Sequence, residues 1–175
     1  MRRGDGPVRA ATASDVDAIP AIGVAAGERF RSIDDPRIAR RADDPPYTVD
    51  EVVRFVDAGD ALVAEVDGTV AGFMVMEVLD GAAHVEELSV HPDHQGTGLG
   101  TALLDAAAGW AAGRGLATVT LTTYRDVPWN RPFYERRGFA VLTDAELTVG
   151  MRAKVAHEAD VGLDPDLRVV MRRLL

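Results

Sequence analysis

The chain has 175 residues, a formal net charge of −9 and no cysteine. That length suits one domain with a real core. The lack of cysteine excludes disulfides, thiolate metal sites and a cysteine nucleophile. The excess of acid argues against a nucleic-acid partner, because neutralising phosphates takes clustered Lys and Arg. It weakly favours a cationic substrate by long-range attraction, although solubility alone is the plainer account. No apolar run approaches the roughly eighteen residues of a membrane span. Met1-Arg2-Arg3 is basic, but no apolar segment follows to make a signal peptide. A cytoplasmic protein is expected.

Residues 1–7 read as a disordered lead, and Val8 to Thr12 as a short strand. Ser14 is the expected N-cap of the first helix, with Asp17 at the capping-box position. Ile19, Ile22, Ala26 and Phe30 follow at helical spacing. Ser32 to Pro46 holds three prolines and reads as a loop. Thr48-Val49-Asp50-Glu51 is a capping box, Val49, Val52, Val53 and Val56 form a buried stripe, and Gly59 ends that helix.

Ala61–Val66, Thr69–Leu79 and Ala83–Val90 read as three antiparallel strands. Asp67-Gly68 and Asp80-Gly81 are the two hairpin turns between them. An alanine-rich helix runs from Leu99 to about Ala112, closed by Gly113 and Gly115. The β-branched run Ala117–Thr123 is the next strand, and strand–helix–strand order implies a parallel pair with a right-handed crossover. A short helix spans Asn130 to Gly138, with Pro132 in its first turn. Phe139–Leu142 is a strand, Leu147–His157 a helix and Arg168–Leu174 a last strand. This mixed order fits a single α/β domain over 8–175, one sheet with helices on its faces.

The third strand runs straight into Pro92 and the turn Gln95-Gly96-Thr97-Gly98-Leu99-Gly100-Thr101. Alternate glycines leave the turn almost bare, so its N–H groups can approach a ligand, and the following helix N-terminus favours an anion. An ATP-type loop would need Lys after the last glycine, where Thr101 stands. A dinucleotide fingerprint would need its third glycine one place later and an acid about twenty positions on, where the chain reads Thr118-Val119-Thr120-Leu121. Val90-x-Pro92-x-x-Gln95-x-x-Gly98-x-Gly100 resembles motif A of the GNAT superfamily of acetyl-CoA-dependent N-acyltransferases. Phe133-Tyr134-Glu135-Arg136-Arg137-Gly138-Phe139 is similar to the FYEKxGF signature of the same superfamily.

The resemblance covers nearly the whole chain. It implies the GNAT fold, a central mixed and mostly antiparallel sheet splayed between strands 4 and 5, with helices on both faces. It also implies acetyl-CoA as co-substrate and no metal. Leu88 and Val90 would bind the pantetheine arm through backbone groups, and Gln95, Gly96, Thr97, Gly98, Leu99, Gly100 and Thr101 the pyrophosphate. Many relatives carry Asn seven residues before the motif tyrosine. Here Val127 stands there, and Asn130 is left either to replace that contact or to cap the helix.

Moving an acetyl group to an amine requires a neutral amine, a donor for the oxyanion and a proton for the leaving thiolate. Two-residue alternation puts His84, Glu86, Leu88 and Val90 on one strand face and Val85, Glu87 and Ser89 on the other. Only one of the adjacent glutamates can then face the cleft. Glu86 is the candidate base, placed like the acid in the similar LEDFYV strand of polyamine acetyltransferases, acting directly, through water, or only by orienting the amine. His84 could relay the proton, although a surface strand histidine is the plainer reading. By the resemblance Tyr134 is the acid. Glu28, Phe30, His84 and Trp129 are candidate substrate contacts. Arg29 and Arg31 would suit a carboxylate-bearing acceptor and Glu28 and Glu86 a cationic one, so the acceptor stays open. The expected partner is a small-molecule amine, with no nucleic acid or membrane, and a homodimer is compatible with these features. The rival reading is a non-catalytic acyl-CoA-binding sensor.

Overall fold

The computed structural model describes residues 7–175. The expected lead thus lies outside the described residues except for Pro7, whose carbonyl accepts the Glu65 N–H at 2.7 Å. The strands are β1 (Val8–Ala10), β2 (Ala61–Val66), β3 (Thr69–Leu79), β4 (Ala82–Val90), β5 (Thr118–Tyr124), β6 (Ala140–Val141) and β7 (Arg168–Leu174). The helices are α1 (Ala18–Gly27), α2 (Pro36–Ala39), α3 (Val49–Ala58), α4 (Leu99–Ala112), α5 (Arg131–Glu135) and α6 (Val149–Asp160). The strand order is β1-β2-β3-β4-β5-β7-β6. The pairs β1–β2, β2–β3, β5–β7 and β6–β7 are antiparallel, and β4–β5 is parallel.

Local chemistry accounts for most of this. Asp67 and Gly68 have φ of 49° and 76°, and Asp80 and Gly81 repeat those values. Two consecutive left-handed residues make the turn whose twist matches a hairpin. The β4–β5 pair cannot be joined by a hairpin, so α4 makes the crossover. Its register holds only Ala83↔Val119, His84↔Thr120 and Val85↔Leu121, after which β4 runs on unpaired with β5, the splay expected of strands 4 and 5.

Two compact units can be recognised: residues up to Met76 with Glu87–Ala106, and Glu77–Glu86 with Ala107–Leu175. The first is built on Ile19, Ile22, Val52, Val63, Phe73 and Val75. In the second, Leu142, Met151 and Val170 pack together with Leu79, Leu147 and Val155. No helix among the described residues is long and apolar enough to cross a membrane.

Several local expectations are corrected. The first cap is Thr12, not Ser14: Thr12 and Asp15 form the box around a short 3-10 turn at Ala13–Asp15, and α1 begins at Ala18. Asp15 is already committed there, to the Thr12 N–H at 2.7 Å and to Arg9. The stretch read as a loop holds α2, with Asp35 capping and Pro36 in the first turn, and a 3-10 turn at Arg40–Asp43. The valine stripe of α3 is narrower than expected. Val52 is fully buried, while Val49 and Val53 are 55% and 37% exposed. Phe55 and Val56 supply the rest of the packing.

Candidate active site

β4 delivers the chain into the glycine turn. Gly96 and Gly98 take φ of 77° and 97°, a backbone that side-chain-bearing residues rarely adopt. Gln95 Nε2 donates to the Val90 carbonyl at 3.1 Å, and Thr97 Oγ1 to the His94 carbonyl at 2.6 Å. Both side chains therefore brace the turn internally. The N–H groups of Gly96, Thr97, Gly98, Leu99 and Gly100 donate to no acceptor among the described residues. A helix N-terminus preceded by open amides is suited to a phosphate-sized anion.

Glu86 lies in a charged cluster. Lys154 Nζ of α6 donates to both Glu86 and Glu77 of β3, the latter at 2.8 Å. Burial, and then the neighbouring Glu77, push the Glu86 carboxyl up to about 7 against the pull of Lys154. Burial would raise Glu77 too, but hydrogen bonds from Glu86 and Lys154 outweigh it and hold Glu77 below the usual carboxylate range. Two carboxylates this close do not both ionise readily, so the proton of the pair rests on Glu86. Burial also lowers Lys154, and the two carboxylates outweigh it, keeping the ammonium charged.

His84 is not a surface histidine: it is buried, with Nδ1 2.8 Å from Thr120 Oγ1 and Nε2 without a hydrogen-bond partner. Burial and then Lys154 lower it to about 4, so the ring is neutral. Glu77, His84 and Glu86 each place one potential ligand atom within 4.8 Å of the others. The cation paired with the two carboxylates of this group is the Lys154 ammonium.

The two adjacent glutamates have different neighbours. Glu87 shares Gly23 as a close neighbour with Phe73, and it accepts from Ser89 Oγ at 2.8 Å. Glu86 lies with Glu77. Val90, in turn, lies with Gly72 and Leu103. Burial raises Glu87, opposed by bonds from Ser89 and Tyr47.

Tyr134 stands on α5, edge-on to Phe133 and Phe139 with centroids 5.1 and 5.7 Å away. Asn130 is one turn earlier, and its carbonyl accepts the Tyr134 N–H at 3.3 Å. Its side chain does not cap the helix. Instead Nδ2 donates to Thr123 Oγ1 at 2.7 Å, and Oδ1 is buried with no donor. Glu28 is paired with Arg31 at 2.9 Å, and Arg31 also holds Asp43 at 2.7 Å. Phe30 and Trp129 are half-buried. Leu88, Val90, the turn, Glu28 and Phe30 belong to the first unit. His84, Glu86, Trp129, Asn130 and Tyr134 belong to the second.

Sequence reasoning missed Glu77, which lies just across the Asp80-Gly81 turn from β4, and Lys154, 68 residues beyond Glu86; neither matches a motif. One signal was present: Lys154 is the only lysine in a sequence otherwise rich in arginine.

A segment of 78 residues is 40% identical to a mycothiol acetyltransferase of Clavibacter michiganensis. It covers 45% of this chain and 26% of that protein, so the match spans about a quarter of this curated relative. Among solved structures, Rv2747 from Mycobacterium tuberculosis in complex with CoA and NLQ is similar at TM-score 0.68 and 22% identity, over 96% of this chain and 98% of that one. PaiA N-acetyltransferase from Thermoplasma acidophilum, with coenzyme A, is similar at TM-score 0.66 and 17% identity, over 96% and 98%. N-acetylglutamate synthase from Neisseria gonorrhoeae, with coenzyme A and N-acetyl-glutamate, gives TM-score 0.70 at 16% identity, over 96% of this chain and 34% of that one. At such identities the likeness is one of fold. The sequence model of the acetyltransferase (GNAT) family matches residues 28–139, a stretch that contains Glu86, the open amides and Tyr134 and makes up more than half of the chain. The chain belongs to the GNAT acetyltransferase family.

Proposed function

We propose that the protein transfers the acetyl group of acetyl-CoA to a primary amine, by direct attack in a ternary complex, and that the acceptor is a small molecule of the cytoplasm. The observation that carries this reading is the run of unsatisfied N–H groups from Gly96 to Gly100, at the end of the strand that bears Glu86. Those amides, with Gln95 and Thr101, hold the pyrophosphate. Backbone groups of Leu88 and Val90 hold the pantetheine arm. The unpartnered Oδ1 of Asn130 offers that arm a further acceptor, in place of the family asparagine that Val127 replaces.

In the reaction the amine nitrogen forms a bond to the thioester carbonyl and the carbon–sulfur bond breaks. Glu86 takes the proton from the amine, and Tyr134 gives one to the departing thiolate. A base pushed up to about 7 is matched to neutral pH.

The test is release of the coenzyme A thiol from acetyl-CoA in the presence of a panel of primary amines. Amine-dependent release supports the reading. Binding of coenzyme A without release across the panel would overturn it in favour of a non-catalytic acyl-CoA sensor. Tyr134→Phe is expected to lower turnover by about 100-fold, the scale of general-acid catalysis, with little change in coenzyme A affinity. Unchanged turnover would remove Tyr134 from the mechanism.

A further inference from the structure

The chain contains a single lysine, and that residue is set between two carboxylates. Lys154 is only 17% exposed, and its Nζ donates to Glu77 and to Glu86. Ion pairs such as Arg9–Asp15, Arg31–Asp43 and Arg168–Glu158 use arginine instead. Arginine makes a broad, planar fork, whereas lysine ends in a compact ammonium on a flexible stem. What lies between Glu77 and Glu86 is therefore a primary ammonium, chemically the same group as an alkylammonium acceptor. It touches the very carboxylate assigned as base.

α6 carries this lysine at its middle. The helix is anchored at its start, where Gly150 N–H donates to Asp80 and Met151 packs with Leu142 and Val170. A second anchor near its end is Glu158, which bonds Thr122 and pairs with Arg168. Lys154 lies between the two anchors, so its four-carbon stem can swing out by rotamer changes while the helix stays in place.

Building on the acetyl-transfer reading above, we infer that Glu77 and Glu86 together form the ammonium subsite for the acceptor, and that Lys154 is its internal occupant, which the acceptor displaces. The subsite takes primary alkylammonium groups. Its second carboxylate, Glu77, selects for charge without serving as the base. In the resting protein the Lys154 ammonium balances the negative charge of the pair, and it sets a threshold that weak or uncharged amines do not cross.

A single lysine makes the displacement directly visible. Protein labelled with 13C-lysine gives one side-chain Cε resonance. Titration with 1,4-diaminobutane at pH 8.5, with coenzyme A present, is expected to move that resonance to the position of a solvent-exposed lysine. The uncharged 1,4-butanediol is expected to leave it in place. A resonance unmoved by saturating diamine, or moved equally by the diol, overturns the inference. This readout requires no turnover, so it is separate from a failure of the acetyl-transfer reading, which shows as no thiol release with any amine.

Kinetics supply the second arm. Lys154→Ala is expected to lower the KM for 1,4-diaminobutane at least five-fold, and Lys154→Arg to leave it high. Adding Glu77→Gln to Lys154→Ala is expected to raise KM again at least five-fold, with a smaller change in kcat. If Lys154→Ala instead raises KM or leaves it unchanged, the lysine serves only to hold Glu86, and the subsite assignment fails.

Discussion

Glu86 illustrates how environment, rather than residue type, sets the role of a carboxyl group. With its proton retained up to about pH 7, the base is inactive below that value and active above it. The acetyl-transfer rate is expected to fall as pH drops through about 7, and Glu86→Gln is expected to remove that limb from the pH–rate profile. A limb unmoved in Glu86→Gln would dissociate it from Glu86. Asp15 shows the opposite shift. Hydrogen bonds from Arg9 hold it at about 2, below its ordinary 3.8. A depressed folded-state value contributes stability above the ordinary value and loses it as pH falls through the depressed one. Asp15→Asn is therefore expected to cost about 2 kcal/mol at neutral pH. Its deficit against the parent protein should shrink between pH 4 and pH 2 in chemical denaturation. The pairing of His84 with Glu86 was legible from alternation. The contact of Glu86 with Lys154 was not, because residue spacing within one strand says nothing of a distant helix.

Elements were read best where short-range chemistry decides them. Thr48 and Glu51 form the capping box their spacing announces, with the Thr48 N–H bonded to Glu51 at 2.8 Å. Thr48→Ala is expected to cost about 1 kcal/mol by denaturant unfolding. Both Asp-Gly hairpins fall where the sequence puts them. α2 was hidden among prolines, although Asp35-Pro36 is itself a helix start, a capping acid followed by a residue pre-set for the first turn. The α3 stripe failed for another reason: helical period says which residues share a face, and only tertiary packing says how wide the buried strip is. Val52→Ala is accordingly expected to cost about 2 kcal/mol, and Val49→Ala less than about 0.5 kcal/mol. Equal losses at the two positions would contradict the packing described.

At the scale of the molecule, the antiparallel β2–β3 pair and the parallel β4–β5 pair followed from the order of hairpin and crossover, which geometry restricts to few solutions, whereas the place of β7 between β5 and β6 was not read from the sequence. The Glu77–Glu86–Lys154 group did not follow either, because Lys154 of α6 lies 68 and 77 residues along the chain from its two partners, spans that no local pattern covers. Coenzyme A that binds only the folded chain is expected to raise its unfolding temperature with ligand concentration. Gly98→Val, which forces a β-branched residue to φ of 97°, is expected to weaken that response.

The two compact units are interleaved along the chain, with their boundaries inside β3, β4 and α4. Cutting one peptide bond cannot release either unit whole. A fragment beginning at Ala107 retains Lys154, Asn130 and Tyr134 but lacks the short Glu77–Glu86 insert and with it both acidic partners of the lysine. Truncation is thus a poor way to map activity on this protein, and point substitution is the method its chain path permits.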